Sequence, residues 1–389
     1  MTMITKTSEL VQFCDSLKGT PFVTVDTEFM RENTYWPKLC LVQVAGPDEA
    51  VAIDALAPGI DLAPLFDLMD DTSVLKVFHA ARQDLEIFHH LTGKVPAPLF
   101  DSQVAAMVCG FGDQVGYENL IAKLTKARVD KSSRFTDWSR RPLSDKQIAY
   151  ALSDVTHLRD AYRKLSKKLE QNGREAWLES EMGILTSPST YEGDPEQAHK
   201  RIKSRNPKPR VAVLLKELAA WREREAQKRD IPRNRILRDD ALMEIAHHAP
   251  KNPNDLARTR GLGDRMAKGP QGADILKAVE RGLAVPDDQL PKVKKKQELP
   301  AGIGPVADLL KVFLKMTCEQ TGVAQKLIAN AADIDQIAAY GDEAKVSAME
   351  GWRFELFGEA ALKLRSGEMG LAIKNKKVVL LDNSNGDEA

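Results

Sequence analysis

The stretch that most constrains the fold of this chain is residues 22–29, where an apolar run ends at two acids. Val23 and Val25 alternate with smaller or polar neighbours, a period typical of a β-strand. Asp26 and Glu28 are two positions apart, so their side chains would point to the same face of that strand. Adjacent carboxylates repel each other and resist burial, and a cation would offset that cost. The alternative is that both acids begin a solvated turn. Residues elsewhere in the sequence are needed to distinguish these two interpretations.

A third acid follows the next predicted buried strand. Residues 74–78 are mostly apolar and residues 79–88 have helical spacing, which places Asp84 in the first turn of a helix. Ligands of open α/β sheets gather just beyond strand ends of this kind. Asp84 is therefore a candidate for the same site, unless it serves only to cap the helix.

A fourth acid lies on a predicted helix that begins near residue 142. Ser144 and Gln147 have the spacing of a capping box at its start. Tyr150 and Asp154 are four residues apart and therefore share one face of this helix. The phenol and the carboxylate would then face the same neighbour.

Acids of this kind supply hard oxygen ligands, which suit Mg²⁺ or Mn²⁺ better than zinc. The set is Asp26, Glu28, Asp84 and Asp154. Two such ions about 4 Å apart can activate a water and stabilise both the attacking and the leaving oxygen of a phosphodiester. Tyr150 could hold that water, or help to deprotonate it, through its hydroxyl. Spacing alone leaves open that any of the four acids is a cap or a surface residue.

Length and composition predict a globular protein of more than one domain. The chain has 389 residues, of which 43% are hydrophobic and 29% charged. No stretch of about 18 apolar residues is present, which disfavours a membrane span, and the start of the chain lacks the apolar core of a secretion signal. The scattered cysteines, without a Cys-x-x-Cys pair, disfavour a zinc site or a disulfide framework and indicate a cytoplasmic location. They are Cys14, Cys40, Cys109 and Cys318.

Charge and helical periodicity divide the chain into segments. Residues 193–297 hold 25 Lys and Arg against 15 Asp and Glu, although the formal net charge of the whole chain is zero. A basic middle beside acidic flanks suits a polyanionic partner, and the alternative is a set of solvated helix faces. The predicted boundaries are 1–190 for an α/β domain, 191–209 for a basic linker, 210–285 for a helical domain, 286–299 for a Lys-rich linker, 300–370 for a second helical domain and 371–389 for a tail.

Three motifs resemble those of the DEDD superfamily of 3′→5′ exonucleases. They are Val-Asp-Thr-Glu-Phe at 25–29, His-Ala-Ala-Arg-Gln-Asp-Leu at 79–85 and Tyr-Ala-Leu-Ser-Asp at 150–154. Their order matches, and the acids at 28, 84 and 154 are separated by family-like gaps of 56 and 70 residues. Tyrosine rather than histidine four residues before the last acid is typical of the tyrosine subclass. Residues 34–43 and 99–103 also resemble the ribonuclease D family.

The second half of the chain resembles nucleic-acid-binding modules. Residues 218–276 resemble an HRDC domain, a small helical module shared with RecQ-type helicases, and residues 300–370 resemble a second, more divergent copy. Two such modules favour the bacterial ribonuclease D family over the related eukaryotic exonucleases. The resemblance implies an RNase H-like α/β domain with a mixed sheet flanked by helices, followed by two small all-α HRDC-type domains.

The implied activity is that of a 3′→5′ exoribonuclease that releases nucleoside 5′-monophosphates and trims tRNA precursors and other small structured RNAs. Asp26, Glu28 and Asp154 would be the main ligands of one metal ion. Asp26 would also reach a second ion, Asp84 would act on it through a bound water, and Tyr150 would orient the attacking water. No membrane and no obligatory protein partner are implied.

Five further residues are candidates for substrate contact, namely Thr27, Phe29, Met30, His79 and Gln83. Phe29 and Met30 could wedge against the terminal base, because stacking tolerates any sequence. The alternatives are core packing for Phe29, Met30 and His79, and a helix-capping role for Gln83.

Further candidates lie outside the three motifs. The basic run at 200–210 is a candidate RNA contact or a plain linker, and Trp221 is predicted in the core of its module. Two rival functions remain open, a DNA-directed exonuclease that uses the same acids and a non-catalytic RNA-binding scaffold.

Overall fold

An α/β domain forms the first half of the protein. The computed structural model describes residues 2–130, 133, 136–204, 207–291 and 299–383. The elements of this domain are β1 Thr2–Ile4, α1 Thr7–Ser16, β2 Phe22–Met30, β3 Lys38–Ala45, β4 Ala50–Asp54, α2 Ala63–Asp70, β5 Leu75–Phe78, α3 Arg82–Thr92, β6 Leu99–Asp101, α4 Ser102–Val108, α5 Tyr117–Thr125, α6 Asp145–Asn172 and α7 Glu175–Leu185.

The six strands form one mixed sheet in the order β1-β4-β3-β2-β5-β6. β2 pairs antiparallel with β3 and parallel with β5, so it lies inside the sheet. Its register with β3 shifts between Glu28 and Phe29, an irregularity of the kind that often lies beside active sites. The predicted mixed sheet flanked by helices is confirmed.

The long helix α6 covers one face of this sheet. The predicted capping box is present, because the Ser144 hydroxyl accepts the backbone N–H of Gln147 and the Gln147 side chain accepts that of Ser144. Farther along, the hydroxyl of Thr24 on β2 donates to the backbone carbonyl of Val155 at 2.8 Å. This bond ties the helix to the strand that carries Asp26 and Glu28.

One helix predicted from the sequence is two helices in the structure. The spacing of residues 101–127 predicts a continuous helix, but α4 ends at Val108 and α5 begins at Tyr117. Between them Gly110 and Gly112 adopt φ values of 90° and 94°, which a helix cannot contain. The apolar spacing of the two helices concealed the break.

A middle helical unit follows, and it has a core of its own. Its elements are α8 Pro209–Arg229, α9 Arg233–Ile236, α10 Asp239–His248, α11 Pro253–Leu256, α12 Asp264–Ala267 and α13 Pro270–Ala284. Trp221 is buried in this core, as predicted. The preceding segment, predicted as a linker over residues 191–209, contains the 3₁₀ helix Pro195–Arg201 and buries Ala198 and Ile202 in the same core. A shorter 3₁₀ helix, Pro188–Thr190, comes before it.

A last helical unit ends the described chain. It contains α14 Gly304–Thr321, α15 Gln325–Ile328, α16 Ala331–Tyr340, α17 Gly351–Arg353, a π-helical turn Phe354–Gly358 and α18 Glu359–Ser366. The strands β7 Met369–Lys374 and β8 Lys377–Asp382 then pair as a hairpin that the sequence analysis did not predict. The buried residues of this unit form one cluster with the core of the α/β domain.

No helix in the ranges that the structure describes is both long and apolar enough to cross a membrane. The four cysteines are free thiols, three of them buried.

Candidate active site

Three of the predicted acids converge on the second half of β2, which continues past them to Met30. One carboxylate oxygen from each of Asp26, Glu28 and Asp154 lies within 4.8 Å of the others. Asp26 and Glu28 share a face of β2 because they are two positions apart, and α6 brings Asp154 onto that face. Local spacing and the packing of one helix are therefore sufficient to assemble this group.

The electrostatics of the group favour a bound cation. Burial, and then the charge of Asp154, raises the pKa of Asp26 to about 8. Burial, and then the charges of Asp26, Asp154 and Asp84, raises the pKa of Glu28 to about 10. Carboxyl groups in these surroundings lose their protons more readily when a cation offsets the repulsion.

Asp84 lies beside this group rather than within it. It is 7% exposed, and its carboxylate accepts a hydrogen bond from the hydroxyl of Thr27. Burial, and then the charge of Asp26, raises its pKa. Asp84 is thus electrostatically coupled to Asp26, although it is not one of the three acids whose oxygens meet.

A tight turn held by Asp101 positions Asp84. Ala80, between β5 and α3, adopts φ 57°, a left-handed conformation that is unfavourable for a residue with a side chain. The Asp101 carboxylate accepts the backbone N–H groups of Ala80 at 3.0 Å and Ala81 at 2.9 Å. These bonds stabilise the turn and direct α3 toward the site.

Two tyrosines flank Asp154. Tyr150 lies one turn earlier on α6, and burial, followed by the charges of Asp154, Glu28 and Asp26, raises its pKa. Tyr117 at the start of α5 donates its hydroxyl hydrogen bond to the backbone carbonyl of Asp154. Tyr117 was missed by the sequence analysis, since nothing in its local pattern reveals a partner 37 residues away.

Asp26, Glu28 and Asp154 open onto a cavity of about 850 Å³, whereas Asp84 lies behind its lining. The five predicted substrate contacts, Thr27, Phe29, Met30, His79 and Gln83, all line it, together with Asp26, Glu28, Tyr150 and Asp154. Trp138 and Tyr117 also line it and were not predicted. The cavity is large enough for a terminal nucleotide, since ligand pockets typically measure about 300–1,000 Å³.

The surroundings of these five residues differ. The Thr27 hydroxyl is engaged by Asp84, and Nδ1 of His79 lies 2.9 Å from the hydroxyl oxygen of Ser102. Phe29 and Met30 are half-buried and pack against apolar clusters while they line the cavity. Stacking and core packing are therefore not exclusive for these two side chains.

Part of the basic run is used inside the protein. Arg201 donates to the buried carboxylate of Glu223 at 3.0 Å. Arg210 donates to the backbone carbonyl of Val285 at 2.6 Å, and Arg205 lies outside the described residues. The exposed lysines Lys200, Lys203 and Lys208 remain candidates for phosphate contact.

The acidic group fits a divalent cation. It offers hard carboxylate oxygens, close together and partly shielded from water, without a cysteine or histidine ligand in the group. Fold, acidic site and motif order together define a 3′→5′ exonuclease. Residues 1–170 match the sequence model of the 3′-5′ exonuclease family, and residues 212–279 match that of the HRDC domain.

The chain belongs to the ribonuclease D family. It is 53% identical to ribonuclease D of Nitrobacter hamburgensis over 99% of this chain and 100% of that protein. It is 50% identical to ribonuclease D of Gluconacetobacter diazotrophicus over 97% of this chain and 95% of that protein. The structure also resembles the crystal structure of Escherichia coli RNase D, described as an exoribonuclease involved in structured RNA processing. That match has a TM-score of 0.80 and 29% sequence identity, and it covers 94% of this chain and 98% of the other.

The protein is therefore a hydrolytic 3′→5′ exoribonuclease, as the resemblance implied. The acidic group is of the kind that this exonuclease family uses with divalent metal.

Proposed function

We propose that Asp26, Glu28, Asp84, Tyr150 and Asp154 are the catalytic residues, and that the four acids hold two Mg²⁺ or Mn²⁺ ions. The observation that carries this proposal is the meeting of three carboxylates within 4.8 Å. Asp26, Glu28 and Asp154 bind one ion. Asp26 and Asp84 would together hold the second ion.

Each residue has a distinct part in hydrolysis. When bound, the ions supply a nucleophilic water and stabilise charge on the attacking and leaving oxygens. Tyr150 orients the attacking water by hydrogen bonding through its hydroxyl. The water attacks the last phosphodiester, the 3′-oxygen of the preceding nucleotide leaves, and a nucleoside 5′-monophosphate is released. Phe29, Met30, His79 and Gln83 line the space for that nucleotide.

The proposed substrates are tRNA precursors and other small structured RNAs, which the enzyme shortens from the 3′ end. The HRDC match and the exposed lysines of the basic run support a role of the middle unit in holding RNA. The relative from Escherichia coli is described as acting in structured RNA processing, which supports the same substrate class. A cytoplasmic location and action without an obligatory protein partner stay predictions.

The role of the acids is tested with Asp154→Asn and a matched control. Asp160→Asn makes the same change six residues later on an exposed position of α6. We expect Asp154→Asn to lower kcat by more than about 100-fold, the upper end for residues that only support a metal ligand. Asp160→Asn should leave kcat within about twofold of the unchanged protein. Comparable activity of the two variants would refute the assignment.

Substrate and metal are tested in one time course. A 5′-labelled tRNA precursor with a 3′ trailer is followed beside a DNA of the same sequence, with EDTA and then with added Mg²⁺ or Mn²⁺. We expect stepwise 3′ shortening of the RNA that EDTA abolishes and either ion restores. Activity that survives EDTA would contradict the metal proposal, and equal or faster loss of the DNA would favour a DNA-directed enzyme.

A further inference from the structure

Gln43, in the middle of β3, is a buried polar residue whose side chain has no partner within the described part of the chain. Its side chain is 0% exposed, and neither its amide nitrogen nor its amide oxygen makes a hydrogen bond to any residue that the structure describes. Burial of an amide without hydrogen bonds costs free energy, so the presence of this residue calls for an explanation. A hydrocarbon side chain of the same length would fill the position at no such cost.

The strand register places Gln43 directly beside Asp26. The two residues are partners in the antiparallel pairing of β3 with β2. Opposed residues of antiparallel strands project to the same face, with Cβ atoms roughly 4.5–5.5 Å apart. On its other side, Gln43 is paired with Ala52 of β4, whose methyl group offers no hydrogen bond. Across this row of the sheet, the polar neighbour of Gln43 is therefore the carboxyl group of Asp26.

Helix α6 closes this face over the amide. Ala151 and Leu152 pack in one apolar cluster with Leu41 and Ala52, the residues that surround Gln43 on β3 and β4. Neither the Gln43 nitrogen nor its oxygen is accessible to solvent. The amide is thus enclosed in an apolar layer next to the carboxylates rather than in contact with bulk water.

We propose that Gln43 is a positioning residue of the metal site. When Asp26 binds a divalent cation, the Gln43 amide N–H donates a hydrogen bond to the Asp26 carboxylate and fixes its orientation toward the ion. Rotation about the last bond of the Gln43 side chain has a broad energy profile, so the amide can adjust its orientation. Residues that support a metal ligand in this way typically contribute about 10- to 100-fold in metal affinity or activity. The inference rests on the proposed role of Asp26 as a ligand.

The test compares Gln43→Met with Val42→Ala in the full-length protein. Met keeps the length of the side chain but removes the amide, and Val42 is equally buried on the opposite face of β3. Mn²⁺ affinity is measured without RNA by electron paramagnetic resonance of the free ion, and stability without metal is measured by urea unfolding. We expect Gln43→Met to weaken Mn²⁺ binding by about 10- to 100-fold without loss of stability. Val42→Ala should lose stability and keep its Mn²⁺ affinity.

Two control results distinguish failure of the Gln43 proposal from failure of the proposed metal site. Mn²⁺ affinity of Gln43→Met within about twofold of the unchanged protein would overturn the role of Gln43, provided that Asp26→Asn abolishes binding. If Asp26→Asn leaves Mn²⁺ affinity unchanged, the proposed metal site itself fails, and this inference fails with it. Should Gln43→Met not fold, the side-chain amide signals of Gln43 in the unchanged protein supply the measurement. Mg²⁺ should shift these signals and slow their proton exchange, and signals that do not respond would overturn the inference.

Discussion

The two helical units are attached to the α/β domain in different ways. The middle unit has a core distinct from that of the α/β domain, which Tyr35 and the partly buried Trp36 join from the loop after β2, and its other contacts with that domain are made by charged and polar side chains. The last unit shares its core with the α/β domain. The difference indicates that the last unit is part of the catalytic body, whereas the middle unit is a module fastened to it.

A buried carboxylate is the centre of the polar attachment, by which we mean the contacts of Glu223, Asp230 and Arg233 with Tyr35 and Trp36. Glu223 on α8 is 1% exposed, and it accepts hydrogen bonds from the hydroxyl of Tyr35 and from Arg233 at 2.7 Å and 2.9 Å. Nearby, Asp230 accepts the backbone N–H groups of Tyr35 at 3.0 Å and Trp36 at 2.9 Å. These contacts fix the loop that follows β2, directly after the residues that line the cavity.

The apolar attachment is a close fit of backbone and rings. Trp177 of α7 and Trp352 of α17 stack with ring centroids 4.6 Å apart and planes 11° from parallel. Gly110 and Gly322 approach so closely that a Cβ on either would lie 3.3 Å from the backbone of the other. Deletion of residues 205–389 would therefore remove part of the core that supports the active site, so it cannot isolate the contribution of RNA binding.

The largest expected effect comes from truncating one tryptophan in each core. Trp352→Ala and Trp221→Ala remove side chains that are 8% and 7% exposed, and each should cost about 3–5 kcal/mol of local stability. We expect Trp352→Ala to speed hydrogen exchange in β2 and β5, because the cluster is shared. Trp221→Ala should speed exchange only in the middle unit. Equal effects of both variants on β2 and β5 would contradict the comparison.

A smaller effect is expected from Glu223→Ala. Its loss leaves Tyr35 and Arg233 without their acceptor, and bonds to a charged group contribute about 1.5–3 kcal/mol. We expect faster hydrogen exchange at residues 31–37 while the last unit keeps its protection. Glu217→Ala is a control on the same helix, since Glu217 pairs with Arg281 inside the middle unit. If Glu217→Ala loosened residues 31–37 equally, Glu223 would have no special role.

The smallest effect is a pH dependence confined to the polar attachment. Burial alone would raise the pKa of Glu223, but hydrogen bonds from Arg233 and Tyr35 and the charge of Arg233 lower it below 4.5. A carboxyl group whose pKa is lowered in the folded state stabilises the fold at any pH above its ordinary, unfolded-state pKa. This stabilisation is lost as the pH falls through the folded-state pKa. As the pH is lowered below about 4.5, the hydrogen-exchange protection of residues 31–37 should fall more steeply in the unchanged protein than in Glu223→Gln, which has no carboxyl group to protonate at this position. If protection depended on pH in the same way in both proteins, protonation of Glu223 would not be what weakens the contact between the two units.

The parts of the site that local spacing determines were predictable. Asp26 with Glu28, and Tyr150 with Asp154, share faces because of the periods of a strand and a helix. Tyr117, Asp101 and the pairing of Gln43 with Asp26 could not be predicted from the residues alone, because they depend on contacts across many positions of the chain.

The same distinction applies to the fold. Strands β2 to β5 and the capped start of α6 follow from local pattern, whereas the short strands β1 and β6 were not predicted. The division of residues 101–127 into two helices was missed despite its glycines. The hairpin at the end of the chain was also missed. The stacking of Trp177 on Trp352 joins residues 175 positions apart, which no periodicity encodes.

The separate core of the middle unit has a practical consequence for protein engineering. Because its apolar residues pack mainly against one another, with Tyr35 and Trp36 as the contribution of the α/β domain, a foreign module of the same fold could be introduced in its place. Such a chimera would need to reproduce a short list of docking groups, chiefly Glu223, Asp230 and Arg233. Such a chimera would exchange the proposed RNA-holding module between enzymes without rebuilding the hydrolytic centre.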